Sequence, residues 1–275
     1  MNEHDLEKKF IENDRGKIYY FVSADAKTPV SVIFLHGLSS NHTTWKDVII
    51  KLRKNNIGSL ALDMRGHGFS DKSRKRKNYR INVFAEDLER VVAEEKLDNF
   101  ILLGYSFSGA VILEYFKKHP DKVKGIIFIS ANFTSPLKYK GIFWLFPLFY
   151  TVFNTLGWLL IWQKRKNYYY FEQGKAKGYW DSTLKGFGTM PLSINYWMLS
   201  EMTKINYTPV IEEIGCPALV IRSASDIFFS KKEMDAMAQK IKNCQCINLE
   251  ETSHYLATAH QDKIKDLIVD FIKQI

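Results

Sequence analysis

After the apolar run Phe100-Ile-Leu-Leu103 the chain reads Gly104-Tyr-Ser-Phe-Ser-Gly109, and few backbone geometries accept that order. The run predicts a buried strand, and the residues after it predict a helix. A serine between them, flanked by Gly104 on one side and by Ser108 and Gly109 on the other, fits a turn too sharp for larger neighbours. Such a turn holds the Ser106 hydroxyl clear of the sheet edge. An exposed serine is a weak nucleophile by itself and gains reactivity only beside a base. The pattern therefore asks for a histidine, a carboxylate to orient it, and backbone N–H groups to receive an oxyanion.

Those groups follow in a definite chain order. Val32-Ile-Phe-Leu35 predicts a strand that ends in His36-Gly37-Leu38. The glycine lets the backbone bend there, so the Leu38 and Phe107 amides are the candidate oxyanion donors. Ala218-Leu-Val-Ile-Arg222 predicts a later strand followed by Ser223-Ala-Ser-Asp226, and Cys246-Ile-Asn-Leu249 runs on to Glu250-Glu-Thr-Ser-His254. The order is serine, aspartate, histidine. Ser130-Ala-Asn132, which follows the strand before, holds no carboxylate, so Asp226 is the better candidate for the acid, against a reading as a helix cap. Of the histidines, only His254 follows the last predicted strand on a loop able to reach the serine. His36 and His67 sit in turn motifs, His119 precedes Pro120, and His260 opens the final helix.

With Asp63-Met-Arg-Gly-His-Gly-Phe-Ser70 added, the chain resembles the α/β-hydrolase superfamily over residues 15–135 and 209–275, and within it carboxylesterases and monoacylglycerol-lipase-like members with a helical cap. One position departs from the pattern: Ser108 stands where the family usually has glycine. The resemblance implies an α/β-hydrolase fold, with a mostly parallel central sheet, helices on both faces and an inserted helical cap. It implies a Ser106–His254–Asp226 triad acting through an acyl-enzyme, and needs no cofactor and no metal. Serine at the elbow argues against haloalkane dehalogenase and epoxide hydrolase chemistry, which uses an aspartate there.

The periodicity agrees with this. Strands are predicted near 17–23, 30–35, 57–62, 100–104, 125–130, 218–222 and 244–249, and helices near 43–55, 81–97, 107–118, 231–241 and 260–274. Alternating strands and helices argue for a sheet covered on both faces. The implied division is a first core part at 1–133, a cap at 134–208 and a second core part at 209–275. With 275 residues, 46% of them hydrophobic, the chain can bury a full core without disulfides. Cys216, Cys244 and Cys246 suggest no pairing or metal framework and suit a reducing compartment. The charged start Met1-Asn-Glu-His-Asp-Leu-Glu-Lys8 has no apolar signal core, so a cytoplasmic location is expected.

Gly141 to Trp162 contains no charged residue and is long enough to span a bilayer. A span would put the halves of one sheet on opposite sides of a membrane, which excludes it. Three readings stay open: a lid over an apolar pocket, a patch in peripheral contact with a membrane, or a well-packed helical cap with no special purpose. Candidate substrate contacts are His36, Gly37, Tyr105, Phe143, Trp144, Phe146 and Trp197. The expected partner is a small-molecule ester with an apolar group. The net charge of +9 gathers partly at Lys72-Ser-Arg-Lys-Arg-Lys77; a solvated loop accounts for it, and no nucleic-acid fold is evident. Carbon–carbon bond hydrolysis, thioester hydrolysis and ligand sensing without turnover remain alternatives to ester cleavage.

Overall fold

Side chains on a strand alternate between the two faces of its sheet, and the central strands here are apolar on both. The computed structural model of the protein describes residues 6–23, 30–131, 133–163, 170, 185–186, 188–223, 226, 231–249 and 261–275. The strands are β1 Glu7–Asn13, β2 Gly16–Val22, β3 Val30–Leu35, β4 Gly58–Leu62, β5 Phe100–Tyr105, β6 Val123–Ile129, β7 Ala218–Ser223 and β8 Cys244–Leu249. They form one sheet in the order β1-β2-β4-β3-β5-β6-β7-β8. The β1–β2 and β2–β4 pairs are antiparallel, and every later pair is parallel.

Helices cover both faces. Helix α1 Lys46–Lys54 and helix α9 Gln261–Lys273 pack Val48, Leu52, Ile264 and Ile268 against Ile101, Leu103, Ile127 and Leu219. The opposite face carries α2 Ile81–Glu94, α3 Ser108–Phe116 and α8 Lys231–Lys240. There Leu88, Val111 and Met237 join Leu102, Phe128 and Val220. In β5, Leu102 thus faces one layer while Ile101 and Leu103 face the other, as a buried parallel strand requires.

Between β6 and β7 the chain inserts α4 Pro136–Tyr139, α5 Phe146–Leu159, α6 Leu192–Met202 and α7 Thr208–Glu212. Helix α6 is buried along most of its length and touches the core, with Trp197 5.8 Å from Tyr79. Helix α5 lies outside it: Phe153 stacks near Tyr196, and a Cβ at Gly157 would come 2.3 Å from Trp197 Nε1. Glycine is what lets the two helices approach so closely.

Candidate active site

The sheet register gathers the chemistry-bearing segments at one rim. Tyr105 pairs with Ile129, Ile129 with Ile221, and Ile221 with Ile247. Ser106 therefore leaves the sheet directly after β5 at the rim from which Asp226 follows β7. Ser106 has φ +54°, a left-handed conformation rare for a residue with a Cβ. Two hydrogen bonds hold it there: its N–H donates to Ile129 O at 3.0 Å, and its carbonyl accepts from Gly109 N at 3.1 Å.

The small residues around it have specific duties. A Cβ on Gly109 would come 2.6 Å from Ala131 Cβ, and one on Gly104 would meet Ile112 Cδ1 at 2.5 Å. Ser108 is fully buried and does more than fit. Its oxygen accepts the Tyr105 N–H at 2.8 Å, and its proton is shared between Leu35 O at 2.9 Å and Tyr105 O at 3.0 Å. The hydroxyl that replaces the usual glycine thus ties the elbow to the end of β3.

Beyond β3, Gly37 backs onto the elbow. A Cβ there would lie 2.9 Å from Tyr105 Cδ1 and 3.5 Å from Ser106 Cβ. Leu38 follows Gly37 and Phe107 follows the left-handed Ser106, and neither amide has a backbone acceptor among the described residues. Ser39, at φ +60°, donates through its hydroxyl to Asn195 Oδ1 of α6 at 2.5 Å.

A buried polar scaffold supports this loop. His36 Nε2 accepts the Met64 amide at 3.0 Å while Nδ1 lies 2.8 Å from Gly37 O. The ring is therefore neutral, with its proton on Nδ1. Burial lowers its pKa to about 4. His67 is also held well below its ordinary value, by burial and then by the nearby His36; its Nε2 accepts the Ser39 amide at 3.2 Å. Burial alone would raise Asp63, but the His42 ring, 2.8 Å away, and the His42 amide draw it down to about 2. Phe21 stacks on His42 at 3.4 Å. Arg65, wholly buried, grips Asp87 with two hydrogen bonds of 2.9 and 2.7 Å. The Asp63–Ser70 motif is thus a load-spreading turn rather than a reactive one.

The sequence-derived site residues fall into three groups. Gly37 lies against Tyr105 and Ser106 at the elbow, with Leu38 and Phe107 the next residues along each segment. Asp226 stands beyond the end of β7, and His254 lies outside the described residues. Of the candidate substrate contacts, His36 is committed to backbone hydrogen bonds. Trp197 is buried between α5 and Tyr79. Phe146 is half-buried beside Tyr150, whereas Phe143 and Trp144 are open to solvent. Asn195 carried no motif signal in the sequence, because its partner Ser39 is 156 residues away.

A family model for the alpha/beta hydrolase fold matches residues 30–258. Among curated relatives, the AB hydrolase superfamily protein YisY of Bacillus subtilis is 34% identical over 101 residues, covering 36% of this chain and 37% of that protein. The 2-(acetamidomethylene)succinate hydrolase of Mesorhizobium japonicum is 29% identical over 117 residues, covering 42% and 41%. The match therefore spans about two fifths of the length of these relatives. Among solved structures, a thermophilic esterase from Thermogutta terrifontis superposes with a TM-score of 0.77 at 16% identity, covering 98% of both chains. An esterase from Exiguobacterium antarcticum gives 0.73 at 19%, covering 97% of this chain and all of that one. With the family match running through the elbow and across the sheet, the chain belongs to the α/β-hydrolase fold family.

Proposed function

We propose that this protein is a serine hydrolase that cleaves carboxylic esters carrying a lipophilic acyl or alkyl group. The observation that carries the reading is Ser106, held at φ +54° between β5 and α3 with the Gly37 backbone against it. In this reading Ser106 Oγ attacks the ester carbonyl as His254 takes its proton, and the Leu38 and Phe107 amides receive the oxyanion. The carbon–alkoxy bond breaks and His254 returns the proton to the departing alcohol. Water then attacks the acyl-enzyme with the same base and frees the acid. Asp226 keeps the imidazole in the working tautomer. Residues 134–208 act as a cap, and the aromatic content of α5 and its flanks favours an apolar substrate.

Similarity to esterases of known structure supports the ester assignment, as does a serine rather than an aspartate at the elbow. Labelling with a fluorophosphonate, followed by turnover of p-nitrophenyl esters of increasing chain length, tests it. Ser106 is expected to label, Ser106→Ala to lose both labelling and about 10⁴-fold or more of kcat, and octanoyl esters to outrun acetyl. Folded protein that resists the probe would favour a ligand-sensing role. Labelling without ester turnover would favour thioester or carbon–carbon cleavage.

A further inference from the structure

Helix α5 carries no charged residue and is mostly apolar, a composition that belongs in a protein interior, yet it forms the outer layer of the insertion. Its inward side meets α6 through Phe153 and Gly157. On the opposite side Leu148, Val152, Thr155 and Leu159 succeed one another at spacings of four, three and four, a straight stripe about 16 Å long. Leu148 is 56% exposed and Leu159 70%. Trp144 before the helix and Trp162 after it are 75% and 76% exposed. An uncharged patch of this kind marks a binding surface.

Its rim is basic, and the fold rather than the chain order makes it so. The Arg74 guanidinium lies 5.3 Å from the centre of the Trp162 ring. Arg76 donates to Tyr150 Oη at 2.6 Å. The 72–77 run is therefore packed against the insertion and is not simply a solvated loop, with Arg74, Lys75 and Lys77 exposed. At the other end Lys138 and Lys140 are also exposed. Exposed leucines along α5 and exposed tryptophans at its two ends, with lysine and arginine nearby, match the layered chemistry of an anionic bilayer surface, with acyl chains beneath charged headgroups. No helix among the described residues is long and apolar enough to cross a membrane, so the contact is one of lying on the surface.

We infer that the outer face of α5, with Trp144 and Trp162, docks on anionic phospholipid membranes. This stands apart from the catalytic reading, since binding needs no turnover. The test is flotation of the full chain with vesicles of phosphatidylcholine, with and without about one third phosphatidylserine, while tryptophan emission is followed. Anionic vesicles are expected to carry the protein and shift its emission to the blue, and added salt is expected to weaken binding. Leu148→Ser/Leu159→Ser is expected to lower partitioning about tenfold or more. Arg74→Ser/Lys75→Ser is expected to lower it about 25-fold, at about fivefold per charge. Ser106→Ala is expected to bind like the parent. No flotation at low salt, or flotation unchanged by the leucine substitutions, overturns the inference, and equal binding to neutral vesicles overturns its anionic part. A dimer in solution that Leu148→Ser/Leu159→Ser splits, with no flotation, would assign the face to a second copy instead.

Discussion

Ser108 Oγ sits 2.9 Å from Leu35 O, bridging the helix side of the elbow to the last residue of β3. The contact joins the segment that presents the nucleophile to the segment that leads into Gly37 and Leu38. Ser108→Ala removes this bridge and the acceptor of the Tyr105 amide in a dry site. We expect a loss of about 1–3 kcal/mol of stability, seen as a lower urea midpoint with an unchanged slope. Activity on a short ester should fall by more than stability alone explains, because the elbow and the oxyanion loop lose their common anchor.

Arg65 and Asp87 form a fully buried two-pronged pair. Removing one partner strands the other charge away from water. Asp87→Ala is expected to cost about 3–5 kcal/mol, and Arg65→Met/Asp87→Leu much less. Chemical denaturation of the three proteins decides the matter; equal losses in the single and double variants would contradict it.

Gly109 and Ala131 make a steric pair across the elbow, 2.6 Å apart once a Cβ is placed on the glycine. Gly109→Ala is expected to destabilise by about 1–3 kcal/mol through overpacking. Adding Ala131→Gly should recover part of that loss, since it removes the opposing methyl. A double-mutant cycle measures the recovery, and strictly additive losses would show that the clash is relieved elsewhere.

Acid should weaken the fold in two steps. His36, with a pKa of about 4, and His67, also held well below its ordinary value by burial, are neutral when folded. Unfolding frees them to bind protons below their ordinary value of 6.5. The unfolded state then holds more protons, so stability falls with acidification from pH 6.5 towards 4, by about 3 kcal/mol for His36 alone. Asp63 is ionised in the fold down to about pH 2 but protonates near 3.8 when unfolded. Its contribution is present above about pH 4 and is lost between there and 2. Unfolding free energy measured against pH should show both slopes; a flat profile from pH 6 to 4.5 would refute the histidine part.

The strands buried on both faces were the most legible part of the chain, because apolar runs such as Phe100–Leu103 and Val32–Leu35 leave one way to be buried. The first strand, Glu7–Asn13, was missed. It is an edge strand with half-exposed, charge-rich faces, so its sequence carries little hydrophobic signal. The helix read over 43–55 begins instead as a 3₁₀ turn at His42–Trp45, and α1 starts only at Lys46. The elbow was readable because its glycines and serines fall within six consecutive positions, 104–109. The long-range contacts were not: Ser39 with Asn195 beside the oxyanion loop, and Arg74 with Trp162 at the insertion, come from distant segments that share no local pattern. The basic run reads as solvated in isolation, and only the folded chain brings aromatic rings to it.

The backbone at Ser106 favours a residue with no side chain, yet the chain keeps a hydroxyl there. Replacing it with glycine would relax roughly 1–2 kcal/mol of local strain while discarding the group that the proposed chemistry requires. Selection of variants for heat tolerance alone would therefore drift toward an inert protein at this one position. Thermostability screens on this scaffold need turnover as a second criterion.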